Sequence, residues 1–292
     1  MLRKAVIPCA GLGTRLWPLT RALPKAFLPV VDKPVLQYGI EECFNSGLKE
    51  IIIIGSLRFE SLFSSYFTPQ TELEKFMETR EKKQEIKYQR RFKEFLSQIK
   101  LTFINQPQPR GLGDALLRAE KVIGQEPFAV LLPDDLIFSR EPCLQQLSLI
   151  FDKFGYPVVA LEKMSPEEIE KSGVVKARKI ERRVFNLQDM VEKPKFCKAP
   201  SDLGIVGRYV LLPEIFRVLK KVKSGSGGEK QLTDGLKMLL AEKPIYGYLY
   251  KGKRYDVGCK PGWLMANFEL SLRQKNLARL LRERLQHPTR NT

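Results

Sequence analysis

Apolar residues in this chain come in short runs separated by amphipathic stretches. Residues 5–8, 51–54, 101–104, 128–132 and 157–161 are runs of this kind. They are too short for buried helices and read as buried strands. Between the first two, residues 35–46 carry apolar positions at helical spacing, and Gly47 follows as a helix stop. Strand–helix alternation predicts an α/β fold, a Rossmann-like, mixed but mostly parallel sheet flanked by helices on both faces. Such sheets bind ligands at the carboxyl ends of their strands.

Residues 71–98 depart from this rhythm. They are dense in Lys, Arg and Glu, with Leu73, Phe76, Met77, Phe92, Phe95 and Leu96 spaced along them. The pattern predicts one long surface helix, or two, resting an apolar stripe on the body. Ser165-Pro166-Glu167-Glu168 is a capping box with proline at the first helical position, opening a short helix that ends near Gly173. Residues 174–175 and 184–190 read as strands, and 212–220 and 232–240 as helices. A Gly/Ser-rich loop fills 223–230, a terminal helix is expected over 260–285, and the segment after about residue 286 reads as frayed. No repeat or long linker divides the chain.

The chain has 292 residues and a net charge of +17. That length buries a substantial core. The charge fits a solvated basic surface, polyanionic substrates, nucleic acid or an anionic membrane, and does not choose among them. No apolar run approaches the length of a membrane span. The basic start Met1-Leu2-Arg3-Lys4 raises a signal peptide, but the apolar stretch after it breaks at Pro8 and runs into Gly11, Gly13 and Arg15. A buried first strand is the better reading. Five scattered cysteines without CxxC spacing argue against a disulfide framework or a zinc site. The one histidine, His287, lies near the C-terminus, which disfavours Ser-His-Asp and Cys-His mechanisms.

Ala10-Gly11-Leu12-Gly13-Thr14-Arg15 follows the first strand directly. Its glycines let backbone approach a ligand, and successive N–H groups form an anion nest. The Rossmann fingerprint wants a third glycine where Leu16 stands, and the Walker A ending is absent, so both are rejected. The run continues through Pro18, Thr20, Pro24-Lys25, Leu28-Pro29 and Lys33-Pro34. Arg15 and Lys25 place two cations beside the nest, as triphosphate binding requires. The prolines are expected to hold the loop extended.

This run resembles the signature of sugar-1-phosphate nucleotidyltransferases, and among them the bacterial UTP–glucose-1-phosphate uridylyltransferases. The similarity spans about residues 4–270. It implies a fold of the nucleotide-diphospho-sugar transferase type in one domain, with a nucleotide-binding half over about 1–160, a sugar-binding half over about 161–262 and a C-terminal helix. By resemblance Ala10, Gly11, Gly13, Thr14, Arg15 and Lys25 bind nucleotide, and Gln106 with the backbone near Gly111 recognises uracil. An amide that donates and accepts suits a pyrimidine edge.

Asp134 ends an apolar strand, where a carboxylate is well placed to hold Mg²⁺. The resemblance puts the metal on Asp134, with Asp256 as second carboxylate; Asp135 is free to cap the next segment. It gives Lys193 to the sugar phosphate, Glu192 to a sugar hydroxyl and Gly173 to the sugar's close approach. Arg15, Lys25, Asp134 and Lys193 form the implied catalytic set. Gly228-Glu229-Lys230-Gln231-Leu232-Thr233-Asp234 is similar to a family block that has an apolar residue where Lys230 stands. The implied reaction is transfer of a uridylyl group from UTP to glucose 1-phosphate, with Mg²⁺ as cofactor, by a cytoplasmic homo-oligomer. The same chemistry on dTTP, galactose 1-phosphate or an N-acetylated sugar phosphate stays open, as does a polyanion-binding protein without catalysis. Nucleic acid and membrane are not expected partners.

Overall fold

The structure, a computed structural model, describes residues 2–68, 71–225 and 228–286. His287 and the segment read as frayed lie outside them. The strands are β1 (Lys4–Pro8), β2 (Pro29–Val30), β3 (Lys33–Pro34), β4 (Glu50–Gly55), β5 (Lys100–Asn105), β6 (Phe128–Leu131), β7 (Asp135–Phe138), β8 (Val158–Lys163), β9 (Gly173–Glu181), β10 (Val184–Glu192), β11 (Leu203–Leu211), β12 (Tyr246–Leu249) and β13 (Lys253–Asp256). The helices are α1 (Val35–Asn45), α2 (Glu60–Phe67), α3 (Thr71–Thr79), α4 (Lys83–Ser97), α5 (Leu112–Ile123), α6 (Cys143–Phe154), α7 (Pro166–Ile169), α8 (Glu214–Lys221), α9 (Leu232–Leu240), α10 (Lys260–Ser271) and α11 (Lys275–Gln286).

Nine strands form one sheet in the order β5-β4-β1-β6-β11-β8-β12-β10-β9. β5, β4, β1 and β6 are mutually parallel. β11 and β10 run against their neighbours, which makes the sheet mixed. Successive side chains leave a strand on opposite faces, and the core divides accordingly. Val6, Ile52, Ile54, Phe128 and Val130 pack with α5, α8 and α9. Ala5, Ile7, Ile51, Ile53, Ala129 and Leu131 pack with α1 and α6. β1, β4 and β6 are buried on both faces, which is why each reads as a continuous apolar run rather than an alternating one. The open edge, β9, carries exposed Lys176, Arg178 and Lys179.

β1, β4, β5, β6 and β8 fall where the apolar runs place them, as do α1 and α9. Other expectations need correction. The stretch over 260–285 is two helices, broken at residues 272–274. The loop after β1 does not run extended but coils through three short 3-10 turns at Thr14–Leu16, Leu19–Arg21 and Lys25–Phe27. The 71–98 stretch, by contrast, is two helices, one of the two forms expected. Phe95 meets Phe44 and Phe92 meets Tyr66 edge-on, so α4 rests on the body, while Phe76 on α3 stays exposed.

A small ribbon, β7 with β13, stands apart from the main sheet. It packs with Val30, Val35 and Val257 against Ala266 and Leu270 of α10. α10 starts close beneath the ribbon. A Cβ on Gly262 would sit 2.0 Å from the Asp256 carbonyl oxygen, so only glycine lets the helix begin there. No described helix is long and apolar enough to cross a membrane.

Cys9, Cys43 and Cys143 are buried, Cys197 is exposed and Cys259 is intermediate. Burial pushes the Cys9 thiol up to about 12 and those of Cys43 and Cys143 upward as well. A thiol–disulfide reagent near neutral pH should therefore modify Cys197 first and Cys259 more slowly, reaching the other three only in denaturant. Fast reaction of a third thiol in the native chain would contradict this burial pattern.

Candidate active site

The glycine turn follows β1 at the carboxyl end of the parallel strands. Gly13 adopts φ 65°. Thr20 Oγ1 donates to its carbonyl at 2.9 Å, and a Cβ at Gly13 would stand 2.8 Å from Thr20 Cγ2. Both backbone conformation and space therefore call for glycine. Among the described residues, none accepts from the backbone N–H groups of Gly11, Leu12 or Gly13. Three consecutive free donors are what an anion nest needs. Ala10 is buried at its entrance, while Thr14 is exposed.

Two cations stand beside this turn, and each is paired to a distant aspartate. Lys25 Nζ lies 2.5 Å from Asp134 Oδ2. Arg15 Nη1 lies 2.8 Å from Asp256 Oδ2. Burial by itself would raise the Asp134 carboxyl and lower the Lys25 ammonium, but their mutual attraction wins, so Asp134 is held below the usual carboxylate range and Lys25 above its usual value. Burial likewise opposes the Arg15 charge, and Asp256 more than offsets it.

Asp134 and Asp256 meet at Gly258. A Cβ built there would stand 2.7 Å from Asp134 Oδ2, 3.0 Å from Asp256 Oδ1 and 2.7 Å from Arg15 Nη2. The ribbon explains the meeting. Asp134 directly precedes β7, Asp256 ends β13, and Asp256 is the register partner of Asp135. Val257 N–H donates to the Asp134 carbonyl at 2.8 Å, and Gly258 N–H donates to Asp256 Oδ1 at 3.0 Å. Two carboxylates opening on one glycine-lined cradle fit a hard divalent cation that takes its other ligands from phosphate and water. No group of three or more His, Cys, Asp or Glu side chains gathers for a metal among the described residues.

A second cluster lies toward the β9–β10 edge. Thr233 Oγ1 donates to Glu192 Oε2 at 2.7 Å, and Lys193 Nζ is 3.3 Å from Glu192 Oε1. A Cβ on Gly173 would come within 2.9 Å of Thr233 Oγ1 and 3.3 Å of Glu192 Oε2. Lys193 has φ 45°, a left-handed conformation rare for a side-chain-bearing residue. Its N–H donates to Ser172 O at 3.0 Å, which holds the turn. β11 joins the two clusters. Gly207 N–H donates to Asp135 Oδ2 at 3.0 Å at one place, and Gly204 pairs with Val174 at another. Buried Tyr209, on the same strand, has its phenol raised by burial and then by the charges of Glu192 and Asp135.

Gln106 is 3% exposed. Its Nε2 donates to Asp114 Oδ2 at 2.8 Å and to Gly111 O at 3.4 Å. The loop around it packs on residue 230. Gly111 has φ 94°, and a Cβ there would stand 2.6 Å from Lys230 O. The lysine standing where an apolar residue is the family pattern is also explained. Its stem runs beside Gly113, and its ammonium donates to Leu219 O at 2.7 Å, near the carbonyl end of α8.

The sequence model of the nucleotidyl transferase family matches residues 4–271. The UTP–glucose-1-phosphate uridylyltransferase YngB of Bacillus subtilis is 42% identical over 271 residues, spanning 93% of this chain and 90% of the relative. The chain belongs to the nucleotidyl transferase family. Among solved structures, a UDP-glucose pyrophosphorylase complexed with UDP-glucose matches this nucleotidyltransferase with TM-score 0.84 at 36% identity, covering 94% of this chain and 100% of its own. A UTP-bound UGPase from Acinetobacter baumannii reaches 0.89 at 30% identity, covering 99% and 100%.

Several residues of this nucleotidyltransferase's site were given no individual role by the sequence. Gly258 looks like any turn glycine until its two carboxylate neighbours are seen. Thr233 reads as a helix-start residue. Arg208, Arg254 and Glu42 carried no assigned role of their own, although Arg208 is 1% exposed. An arginine inside the otherwise apolar run of β11 is a clue that its charge is held inside.

Proposed function

We propose that this chain transfers the uridylyl group of UTP to glucose 1-phosphate, giving UDP-glucose and pyrophosphate. The observation that carries the reading is the convergence of a free-amide glycine turn, Lys25, Arg15, Asp134 and Asp256 on one cradle at Gly258. The names of the relatives, and the UTP and UDP-glucose held by the matched structures, support uridine and glucose as the specific pair.

In this reading a phosphate oxygen of the sugar attacks the α-phosphorus of UTP in line. The bond from that phosphorus to the bridging oxygen breaks, and pyrophosphate leaves with its electron pair. The nucleophile is already anionic, so no general base is needed. The chain's work is positioning and charge neutralisation. Backbone N–H groups from Ala10 to Thr14, with Arg15 and Lys25, hold the triphosphate and the leaving group. Lys193 holds the attacking phosphate, while Glu192, oriented by Thr233, takes a sugar hydroxyl above Gly173. Gln106, its nitrogen engaged by Asp114 and Gly111, turns its oxygen to the uracil imide. Asp134 and Asp256 would hold Mg²⁺, which when bound neutralises phosphate charge.

The nucleotide half is then about residues 1–160 and the sugar half about 161–262, in one domain of a cytoplasmic enzyme. Exposed Leu264, Met265 and Phe268 on α10, with Leu280 on α11, support a homo-oligomer.

Pyrophosphate release across a panel of nucleotides and sugar 1-phosphates tests the reading. UTP with glucose 1-phosphate should give the highest kcat/KM, and excess EDTA should stop release. Preference for dTTP or for an N-acetylated sugar would overturn the substrate assignment. Full activity in EDTA would overturn the metal.

A further inference from the structure

Two arginines hold the segment that carries Asp134, and neither has a place in the reaction drawn above. Arg208 pairs with Glu42 at 2.9 and 2.7 Å. It also donates to the carbonyls of Leu132, Gly207 and Asp135 at 3.0, 3.0 and 2.8 Å. The backbone is thereby fixed on both sides of Asp134. Arg254 acts on the neighbouring side chain. Its Nη1 donates to Asp135 Oδ1 at 2.9 Å and its Nη2 to Glu168 Oε1 at 2.8 Å, while its Nε donates to Glu162. The other oxygen of Asp135 takes the Gly207 N–H. A Cβ on Gly207 would stand 2.7 Å from that oxygen, so glycine is what lets β11 come so near. Asp135 is thus no cap of the following segment but a tie between three strands.

The placement of this tie gives it a consequence. Arg254 lies two residues before Asp256 on β13, and Asp135 directly follows Asp134. Each strand of the ribbon has four residues, few for an isolated pair to hold its own alignment. A one-residue slip would turn every side chain of β13 to the other face and carry Asp256 away from Asp134. We propose that the Arg254–Asp135 ion pair is a positioning device that fixes the β7–β13 register and so the spacing of the Asp134 and Asp256 carboxylates toward a divalent cation. The inference rests on the reading of those two aspartates as metal ligands. Arg254 reaches neither of them and acts through Asp135, as the outer partners of metal ligands do. A largely buried cation among three carboxylates is a poor source of stability compared with apolar packing. That makes specifying a geometry the better account of why it stands there.

The test uses the full chain and Mn²⁺ alone as the probe, with free Mn²⁺ followed by EPR. Arg254→Gln and Arg254→Lys should bind Mn²⁺ about tenfold more weakly than the parent, a loss typical of removing an outer partner. The lysine variant keeps a cation among the carboxylates and hence the fold, but one ammonium lacks the planar fork that spans them. In turnover assays both variants should regain most of the parental kcat as metal is raised. A merely structural defect would instead lower activity equally at every metal concentration. Parental Mn²⁺ affinity in either folded variant overturns the proposal. Asp134→Asn is measured alongside. Parental Mn²⁺ binding there overturns the metal assignment itself, which separates failure of the foundation from failure of the positioning idea.

Discussion

Asp134→Asn is expected to lower kcat by at least about 10²–10³-fold, the range for removing one electrostatic contact to the reacting phosphates. The substitution keeps the side chain's size but removes the charge that faces the cradle at Gly258 and pairs with Lys25 at 2.5 Å. It also leaves Lys25, whose side chain is 19% exposed, without its anion. A loss of stability should accompany the loss of rate, of the order of a few kcal/mol for a buried pair broken on one side. The sign of its pH dependence follows from Asp134 being held below the usual carboxylate range. A depressed carboxylate contributes its stability in full above the unfolded value, near pH 4, and loses it as pH falls through the folded one. In EDTA, the gap in unfolding free energy between parent and variant should therefore be constant from about pH 7 to pH 5 and close in stronger acid. Steady-state kinetics with denaturant titrations at several pH values measure both. Parental kcat, or a gap that widens in acid, would contradict the assignment of this pair.

Gly258→Ala should have an effect of similar size by another route. The backbone at Gly258 lies outside the left-handed region, so alanine meets no conformational penalty there. What it meets is crowding. Its methyl would lie within 3.0 Å of oxygens from both aspartates and within 2.7 Å of the Arg15 guanidinium. These groups must move apart by a fraction of an ångström or more, and a shift of about 1 Å in a reacting site can cost 10²-fold. The expected result is kcat/KM reduced about 10²-fold or more with a midpoint of unfolding near the parent's. An alanine variant with parental kcat/KM would show that the cradle is not where the chemistry happens.

Much of the architecture was legible because the physics that makes it is local. Five apolar runs could satisfy their backbones only as strands, and they fall into one sheet with small shifts at their ends, four inside it and β5 at its edge. Period and composition could not reveal the β7–β13 ribbon. Its strands have only four residues each, one mostly apolar and the other mostly charged, and their pairing joins positions more than a hundred residues apart. The terminal stretch kept its helical period across residues 272–274, so the break between α10 and α11 left no trace in the pattern. The charged groups divide in the same way. Lys25 and Arg15 stood out because they flank a glycine turn. Arg208 and Arg254 did not, since their partners Glu42, Asp135 and Glu162 are supplied by tertiary structure. Lys230 looked anomalous as a letter and is ordinary as a side chain, apolar along its stem and cationic where a helix ends.

The row of Lys176, Arg178 and Lys179 along β9 bears on how copies of this chain meet one another. Beyond its first residues that strand has no strand neighbour on its outer side among the described residues, and its amides would otherwise template another strand. Like charges along the rim make two approaching molecules repel before their backbones can pair. Some of the surplus positive charge thus works as a guard against fibrous stacking, and dissolved salt weakens that guard.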